Sequence, residues 1–418
     1  MIKEAETTLN QRAERIQNRI NELASISEMP MGITRRYGTE AFVLGRALIQ
    51  QWMIQAGLKT RIDSIGNLRG RWSSTNPDAK TLVIASHIDT VINAGRFDGP
   101  LGVLMGLEIV EANAISDIPF NLDIVAFCDE EGSRFHTTYL GSSVLAGSFN
   151  YQILDRKDAD GLSLGIIVSS CGGDPSQILL DAMKKHEWLG YFEIHIEQGP
   201  VLYERNIPVA VVSGIAAQMR VEMTFEGIAG HAGTVPMDMR SDALCCAADC
   251  VLAAEKLGLM YKDKLVATIG KLEIQNAASN VIPGSVKCTM DMRSPDFDFL
   301  TQMKDEIKRQ MTQICESRNI GFSWELIQEN KAVECDSELR KVLADSVLET
   351  GNELMELYSG AGHDAVAISD VAPISMMFVR CFEGISHNPK EDVELKDIAA
   401  GLNVAQTYIK NLIQKYKN

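Results

Sequence analysis

Long apolar runs, an excess of basic residues and paired cysteine motifs are all missing from this chain of 418 residues. No window approaches the roughly 18 uninterrupted apolar residues of a membrane-spanning helix. Lys and Arg number 40 against 56 Asp and Glu, a net charge of -16. Nucleic acid and anionic membranes, which select basic patches, are therefore not expected partners. The opening Met1-Ile2-Lys3-Glu4-Ala5-Glu6 has no apolar core of the kind a secretory signal needs. The nine cysteines are odd in number and scattered, with no CxxC pair. Cys245, Cys246 and Cys250 fall at helical spacing among alanines, which predicts buried free thiols and argues against a thiolate metal site. Together these features predict a soluble cytoplasmic protein.

Histidine is scarce as well, with seven in the chain, so the company each one keeps is informative. The segments to read together are His87-Ile88-Asp89, Asp98-Gly99, Asp129-Glu130-Glu131-Gly132, His195-Ile196-Glu197 and Ser386-His387-Asn388. Neutral imidazoles and carboxylates are the ligands that zinc or manganese takes. A metal-dependent hydrolase is the leading expectation from these residues alone.

The chain is long for one domain. Residues 8–24 and 41–56 have apolar positions at helical spacing, and Gly57 suits a helix C-terminus. Residues 81–86 are a short apolar run of the type buried on both faces of a sheet, 102–112 return to helical periodicity, and 122–127 form a second apolar run. Strand, helix, strand is the rhythm of a parallel α/β sheet, whose ligands sit at the carboxyl ends of the strands. Near Ser213-Gly214 the texture changes. Alternating segments at 219–225, 265–274 and 286–292 and helical ones at 241–257 and 297–318 predict two helices on a small antiparallel sheet, roughly 115 residues in all. One further apolar strand, 374–379, precedes His387. The expected division is 1–213 with 331–418 as one catalytic domain, interrupted by 214–330.

Each motif also has an ordinary reading. A lone histidine at a strand end is usually a capped surface residue, but the two-residue period of an extended chain lets Asp89 fix the His87 tautomer. Gly and Pro around Asp98 could mean only a turn, yet a carboxylate there could present both oxygens to two ions. Three consecutive acids could be a solvated loop; at the end of a buried strand, Glu131 suits a metal and Glu130 a general base. His231 is framed by Gly230, Ala232 and Gly233, so something else can approach it closely. Asn280 and Arg293 follow turn-like and alternating segments, and the planar fork of Arg293 suits a carboxylate. His363, in a Gly-rich turn before a helix, is either substrate-facing or a cap.

Taken together, Ser86-His87-Ile88-Asp89-Thr90-Val91, Asp129-Glu130-Glu131-Gly132-Ser133-Arg134-Phe135, His195-Ile196-Glu197-Gln198-Gly199 and Gly362-His363-Asp364-Ala365 resemble the M20 metallopeptidase and amidohydrolase superfamily. The resemblance is closest to the branch of allantoate amidohydrolases and N-carbamoyl-L-amino acid hydrolases, and it extends from about Tyr37 to Pro389. Arg35-Arg36-Tyr37-Gly38-Thr39 and Phe378-Val379-Arg380-Cys381 lean toward the allantoate side. It implies an α/β, aminopeptidase-like di-metal catalytic domain, an inserted ferredoxin-like α+β domain for dimerisation or as a lid, and a homodimer. It implies two divalent ions, Mn2+ or Zn2+, on His87, Asp98, Glu131, His195 and His387, with Asp98 bridging and the remaining pairing open. Glu130 is implied as the base, Asp89 as the residue orienting His87, and His231 as reaching the partner subunit's site. Gln218, Asn280 and Arg293 match positions that hold the substrate carboxylate, and His363 is implied beside them. The implied reaction is hydrolysis of a ureido C–N bond of a small carboxylate: allantoate to ureidoglycine, ammonia and carbon dioxide in purine degradation, or an N-carbamoyl-L-amino acid. A binding protein that keeps the fold without catalysis is opposed by the presence of Glu130 and every candidate ligand.

Overall fold

The computed structural model describes residues 2–111 and 118–417. They form two compact units, one reaching to Ser213 and resuming at Glu334, the other comprising Gly214–Val333.

Unit one is built on a nine-stranded sheet. Its strands are β1 (Lys59–Ile62), β2 (Leu68–Trp72), β3 (Thr81–His87), β4 (Asn121–Phe127), β5 (Trp188–Ile196) and β6 (Val209–Ile215), then β13 (Val333–Glu334), β14 (Glu356–Ser359) and β15 (Ile374–Val379). The order is β1-β2-β4-β3-β5-β15-β6-β13, with β14 also paired to β6. At its centre β4, β3, β5 and β15 run parallel. Antiparallel pairings of β2 with β4 and of β6 with β15 flank them. Every residue of β3 is buried, as an apolar run covered on both faces requires. Helices α1 (Ile2–Ala24), α2 (Glu40–Gln55), α3 (Pro100–Glu111), α4 (Leu140–Ala146) and α5 (Leu164–Ser170) share its core, and the short α6 (Val201–Arg205) follows β5. The expected end of α3 at Ala112 lies outside the described residues. Gly57, at φ 84°, takes the left-handed position just past α2.

Unit two is a four-stranded antiparallel sheet ordered β12-β7-β11-β9, from β7 (Ala217–Glu226), β9 (Val266–Ile274), β11 (Ser285–Ser294) and β12 (Gly321–Asn330). Helices α7 (Ala243–Met260) and α8 (Phe297–Ser317) pack on it. The chain order β-α-β-β-α-β with this strand order is the ferredoxin-like arrangement. Burial alternates strictly along β11, because one face meets the helices. A short ribbon pairs β8 (Gly230–His231) with β10 (Val281–Ile282). Strand β12 is an addition to the sequence-based expectation, and the alternation Phe322-Ser323-Trp324 was its signal. The chain closes in unit one with α9 (Ser337–Glu349), α10 (Ala365–Ile368) and α11 (Leu395–Lys417).

Candidate active site

Because β3, β4, β5 and β15 are parallel, their carboxyl ends share one edge, and the acidic and histidine motifs lie there. His87 ends β3 beside Phe127 of β4. His195 sits next to the end of β5, paired with Phe378 of β15.

Asp98 lies on the turn into α3. The turn needs Gly99, whose φ is +84° and whose Cβ position would fall 2.5 Å from the His87 carbonyl oxygen. The two oxygens of Asp98 face different groups. Oδ1 is 3.1 Å from His195 Nε2 and 3.6 Å from His87 Nε2. Oδ2 is 3.1 Å from His387 Nε2, which is itself 3.1 Å from Glu131 Oε1. Oδ1 is buried and makes no hydrogen bond despite these short distances.

The histidine tautomers follow from their other nitrogens. Nδ1 of His87 is 3.0 Å from the Asp89 carbonyl oxygen, and Nδ1 of His195 is 3.0 Å from that of Ile196. A carbonyl only accepts, so both Nδ1 atoms carry a proton, and in the neutral form of each ring the lone pair is on Nε2. Those lone pairs stand 3.5 Å apart, converging with Asp98 Oδ1 on one point. A divalent cation could complete such a set, and its nitrogen and oxygen donors suit zinc or manganese. The ligand atoms of His87, Asp98 and His195 lie within 4.8 Å of one another, as do those of Asp98, Glu131 and His387 and those of His87, Glu130 and Glu131.

Asp89 differs from the sequence-based expectation. Its carboxylate is 3.7 Å from His87 Nδ1, and the imidazole is held by the Asp89 backbone carbonyl instead. The carboxylate accepts from the N–H groups of Glu130 (3.1 Å) and Glu131 (3.3 Å). It thereby fixes the turn that carries both acids, a turn entered through Asp129 at φ 51°.

Electrostatics separate the carboxyl groups. Burial alone would raise Asp98, but the imidazoles of His195, His387 and His87 outweigh it and hold Asp98 well below the usual range. Glu130 is pushed well above the carboxylate range, first by burial, with His87 opposing and Glu131 reinforcing. The cause is thus burial before neighbouring charge. His387 is raised to about 10 by its contacts with Asp98 and Glu131.

Two supporting residues escaped sequence reasoning. Glu391 Oε1 accepts from the N–H groups of Phe97 (2.7 Å) and Asp98 (3.1 Å), fixing the turn from the far end of the chain. Gln198 Nε2 donates to Asp98 Oδ2 at 2.9 Å; its place in the His195-Ile196-Glu197-Gln198 motif was an available signal. Arg35 is buried and donates to the Ile88 carbonyl at 2.8 Å, bracing the His87–Asp89 segment. His363 is buried, with Nε2 2.8 Å from Ser359 Oγ and its ring 4.5 Å from that of His195. It faces His195 and not an open surface.

The other expected residues belong to unit two. His231 is exposed on β8, and its Nδ1 accepts from the Gly233 N–H at 3.1 Å. The remaining proton is therefore on Nε2, which is left as a donor. The Asn280 carbonyl accepts from the Ala232 N–H at 2.9 Å, so Asn280 lies beside His231. Arg293 is paired opposite Gln218 across β11 and β7. Both donate to Asp291, Arg293 Nε at 2.7 Å and Gln218 Nε2 at 2.6 Å. Asp291, unremarked in the sequence, orients this pair.

Among the described residues no helix is long and apolar enough to cross a membrane. Residues 83–411 match the family described as Peptidase family M20/M25/M40. The chain is 37% identical to "Allantoate deiminase 1" of Glycine max over 94% of its own length and 88% of that protein's. It is 36% identical to "N-carbamoyl-L-amino acid amidohydrolase" of Geobacillus stearothermophilus, covering 96% and 98%. The structure of an amidase of the hydantoinase/carbamoylase family from Burkholderia multivorans superposes with a TM-score of 0.87 at 34% identity, covering 95% and 97%. The shared fold, the convergent imidazoles and carboxylates and these similarities agree: the chain belongs to the peptidase family M20/M25/M40 and is one of its amidohydrolases.

Proposed function

We propose that this enzyme hydrolyses the ureido C–N bond of a small carboxylate, allantoate best of all, giving ureidoglycine, ammonia and carbon dioxide. The observation that carries the reading is Asp98, whose two oxygens face two separate ligand clusters with Glu130 at their border. His87, Asp98 and His195 would hold one divalent ion, and Asp98, Glu131 and His387 the other, with Mn2+ or Zn2+ suited to both. When bound, such a pair of ions lowers the pKa of water and offsets negative charge developing on the attacked carbon's oxygen. Glu130 takes the proton from the attacking water and passes it to the departing nitrogen, a role that its burial-raised pKa suits. The Nε2–H of His231, supplied by a second copy of the chain, donates to the developing oxyanion. Arg293, with Gln218 and Asn280, takes the substrate carboxylate, and the buried His363 steadies His195 through the contact between their rings.

A homodimer is part of this reading. The edge strand β9 and helix α7 expose Val266, Leu272, Leu252, Leu259 and Met260, apolar surface that a second copy would cover. All nine cysteines are free, which suits a reducing compartment such as the cytoplasm. The acidic net charge of -16 disfavours nucleic acid as a partner. A second reading, hydrolysis of N-carbamoyl-L-amino acids, is favoured by the near-complete coverage of the Geobacillus relative.

The test is a substrate panel of allantoate, ureidoglycolate and N-carbamoyl amino acids on metal-stripped enzyme reloaded with Mn2+ or Zn2+. Allantoate should give the highest kcat/KM. A higher value for a carbamoyl amino acid with either metal replaces the first reading by the second.

A further inference from the structure

Unit two contains its own convergence of metal-ligating groups, away from any role above. Cys246 and Cys250 stand one turn apart on α7, on the same helical face. Cys315 comes from the last turn of α8, 69 residues along the chain from Cys246. The three sulfurs lie within 4.8 Å of one another, and those of Cys246 and Cys315 are 3.5 Å apart. Each of the three is at most 1% exposed, in a core shared with Ala243, Ala247, Met311 and Ile320. Cys245, next in sequence, is exposed instead, contrary to the expectation that it is buried with the others.

We propose that Cys246, Cys250 and Cys315 form a binding site for a thiophilic trivalent ion, with arsenic(III) the representative of the class. Metal–sulfur bonds near 2.3 Å place the sulfurs around one ion roughly 3.5–4 Å apart, close to the spacing already present. Charge then selects among soft ions. Three thiolates on a monovalent ion leave two negative charges in an apolar core, on a divalent ion one, and on a trivalent ion none; buried net charge is what such a core tolerates least. With arsenous acid, As(OH)3, three As–O bonds break and three As–S bonds form, and each thiol proton leaves with a hydroxide as water. Arsenic stays trivalent, so no oxidant or reductant is required. The Cys246 thiol is held below the ordinary thiol range by Cys250 and then Cys315. Entry is through helix ends: Cys246 is in the opening turns of α7 and Cys315 in the closing turn of α8, where opening costs least.

The test titrates arsenite into the full chain carrying its divalent ions, read by intact mass under nondenaturing conditions and by thermal denaturation. One arsenic per chain should bind with loss of three waters, and the unfolding midpoint should rise with arsenite concentration. Cys245→Ala and Cys288→Ala, the latter removing a buried core thiol outside the cluster, should behave like the parent. Cys246→Ala and Cys315→Ala should lose at least the roughly 10–100-fold in affinity that a lost contact around a metal costs, along with the midpoint rise. If either fails to fold, Cys250→Ser, which nearly preserves volume, carries the same expectation. Absence of uptake, uptake unchanged in Cys246→Ala and Cys315→Ala, or displacement of the arsenic by zinc overturns the proposal.

Discussion

Replacing Asp89 by Asn separates two ways in which this residue could serve the site. If the Asp89 carboxylate acts through His87, the change should weaken the ion held by His87 and His195. The geometry points elsewhere. His87 Nδ1 bonds the Asp89 carbonyl oxygen at 3.0 Å, which Asn keeps, whereas the carboxylate receives the N–H groups of Glu130 and Glu131. Asn retains one acceptor and turns an NH2 group against the other N–H. One charge-assisted hydrogen bond is lost in a fully buried place, about 1.5–3 kcal/mol, or roughly 10–100-fold. That penalty should appear in the affinity of the ion bound by Glu131 and His387 and in kcat, since the same turn carries Glu130. Stepwise metal titration with elemental analysis on Asp89→Asn, alone and combined with His195→Ala or His387→Ala, measures it. The double variant with His387→Ala should be non-additive and the one with His195→Ala additive. The reverse pattern refutes the argument and restores the orienting role for the imidazole.

Glu130→Gln should keep both ions and lose turnover by roughly 10²–10⁴-fold or more; elemental analysis showing one ion missing would move Glu130 into the coordination shell. Arg293→Lys and Arg293→Ala should leave metal content and folding intact, because Asp291 keeps Arg220 and Gln218, while kcat/KM falls for carboxylate substrates; equal loss on an amide analogue would contradict the assignment. His231→Ala and Glu130→Gln should each be nearly inactive, yet co-expressed heterodimers should regain about a quarter to a half of parental activity, since one composite site stays whole; heterodimers shown to be present and dead would remove the shared site. Chelation should strip the ions in two stages, that of His387 first, because its side chain is 45% exposed whereas His87 and His195 are 3% and 2%; simultaneous loss of both ions contradicts this order.

Much of this was legible in the sequence because parallel strands deliver their carboxyl ends to one edge. The apolar runs ending at His87 and before Asp129 therefore announce both the sheet and the place of the site. What stayed hidden depends on pairings between distant segments, which leave no local periodicity. Glu391 is 293 residues from the Asp98 N–H it accepts, and no pattern near either residue reports the bond. The thiol cluster is similar: the spacing of Cys246 and Cys250 is visible, but only the packing of α8 on the sheet of unit two brings Cys315 to them. Asp89 illustrates a subtler limit. Alternation along an extended chain placed its side chain near His87, yet the carbonyl one atom group away is the closer acceptor, a choice set by the local turn.

The carboxyl groups behind the site explain why cations belong there. Asp89, Asp129, Glu130, Glu193 and Asp364 are all buried, and neither oxygen of Asp129 has a hydrogen bond. Arg134 offsets Asp129 and Asp89 faces Arg35, which is too little positive charge for so many acids in a low-dielectric interior. Protons make up the difference in the metal-free chain, where His87, His195 and His387 are all raised by the surrounding carboxylates against the opposing effect of burial. Metal uptake is then an exchange of cations for protons, and its affinity must rise with pH. The same exchange sets the state of Glu130. Burial raises the pKa of Glu130, whereas divalent charge beside it would favour the carboxylate, so loading the two clusters would favour the form of Glu130 that the proposed base role needs.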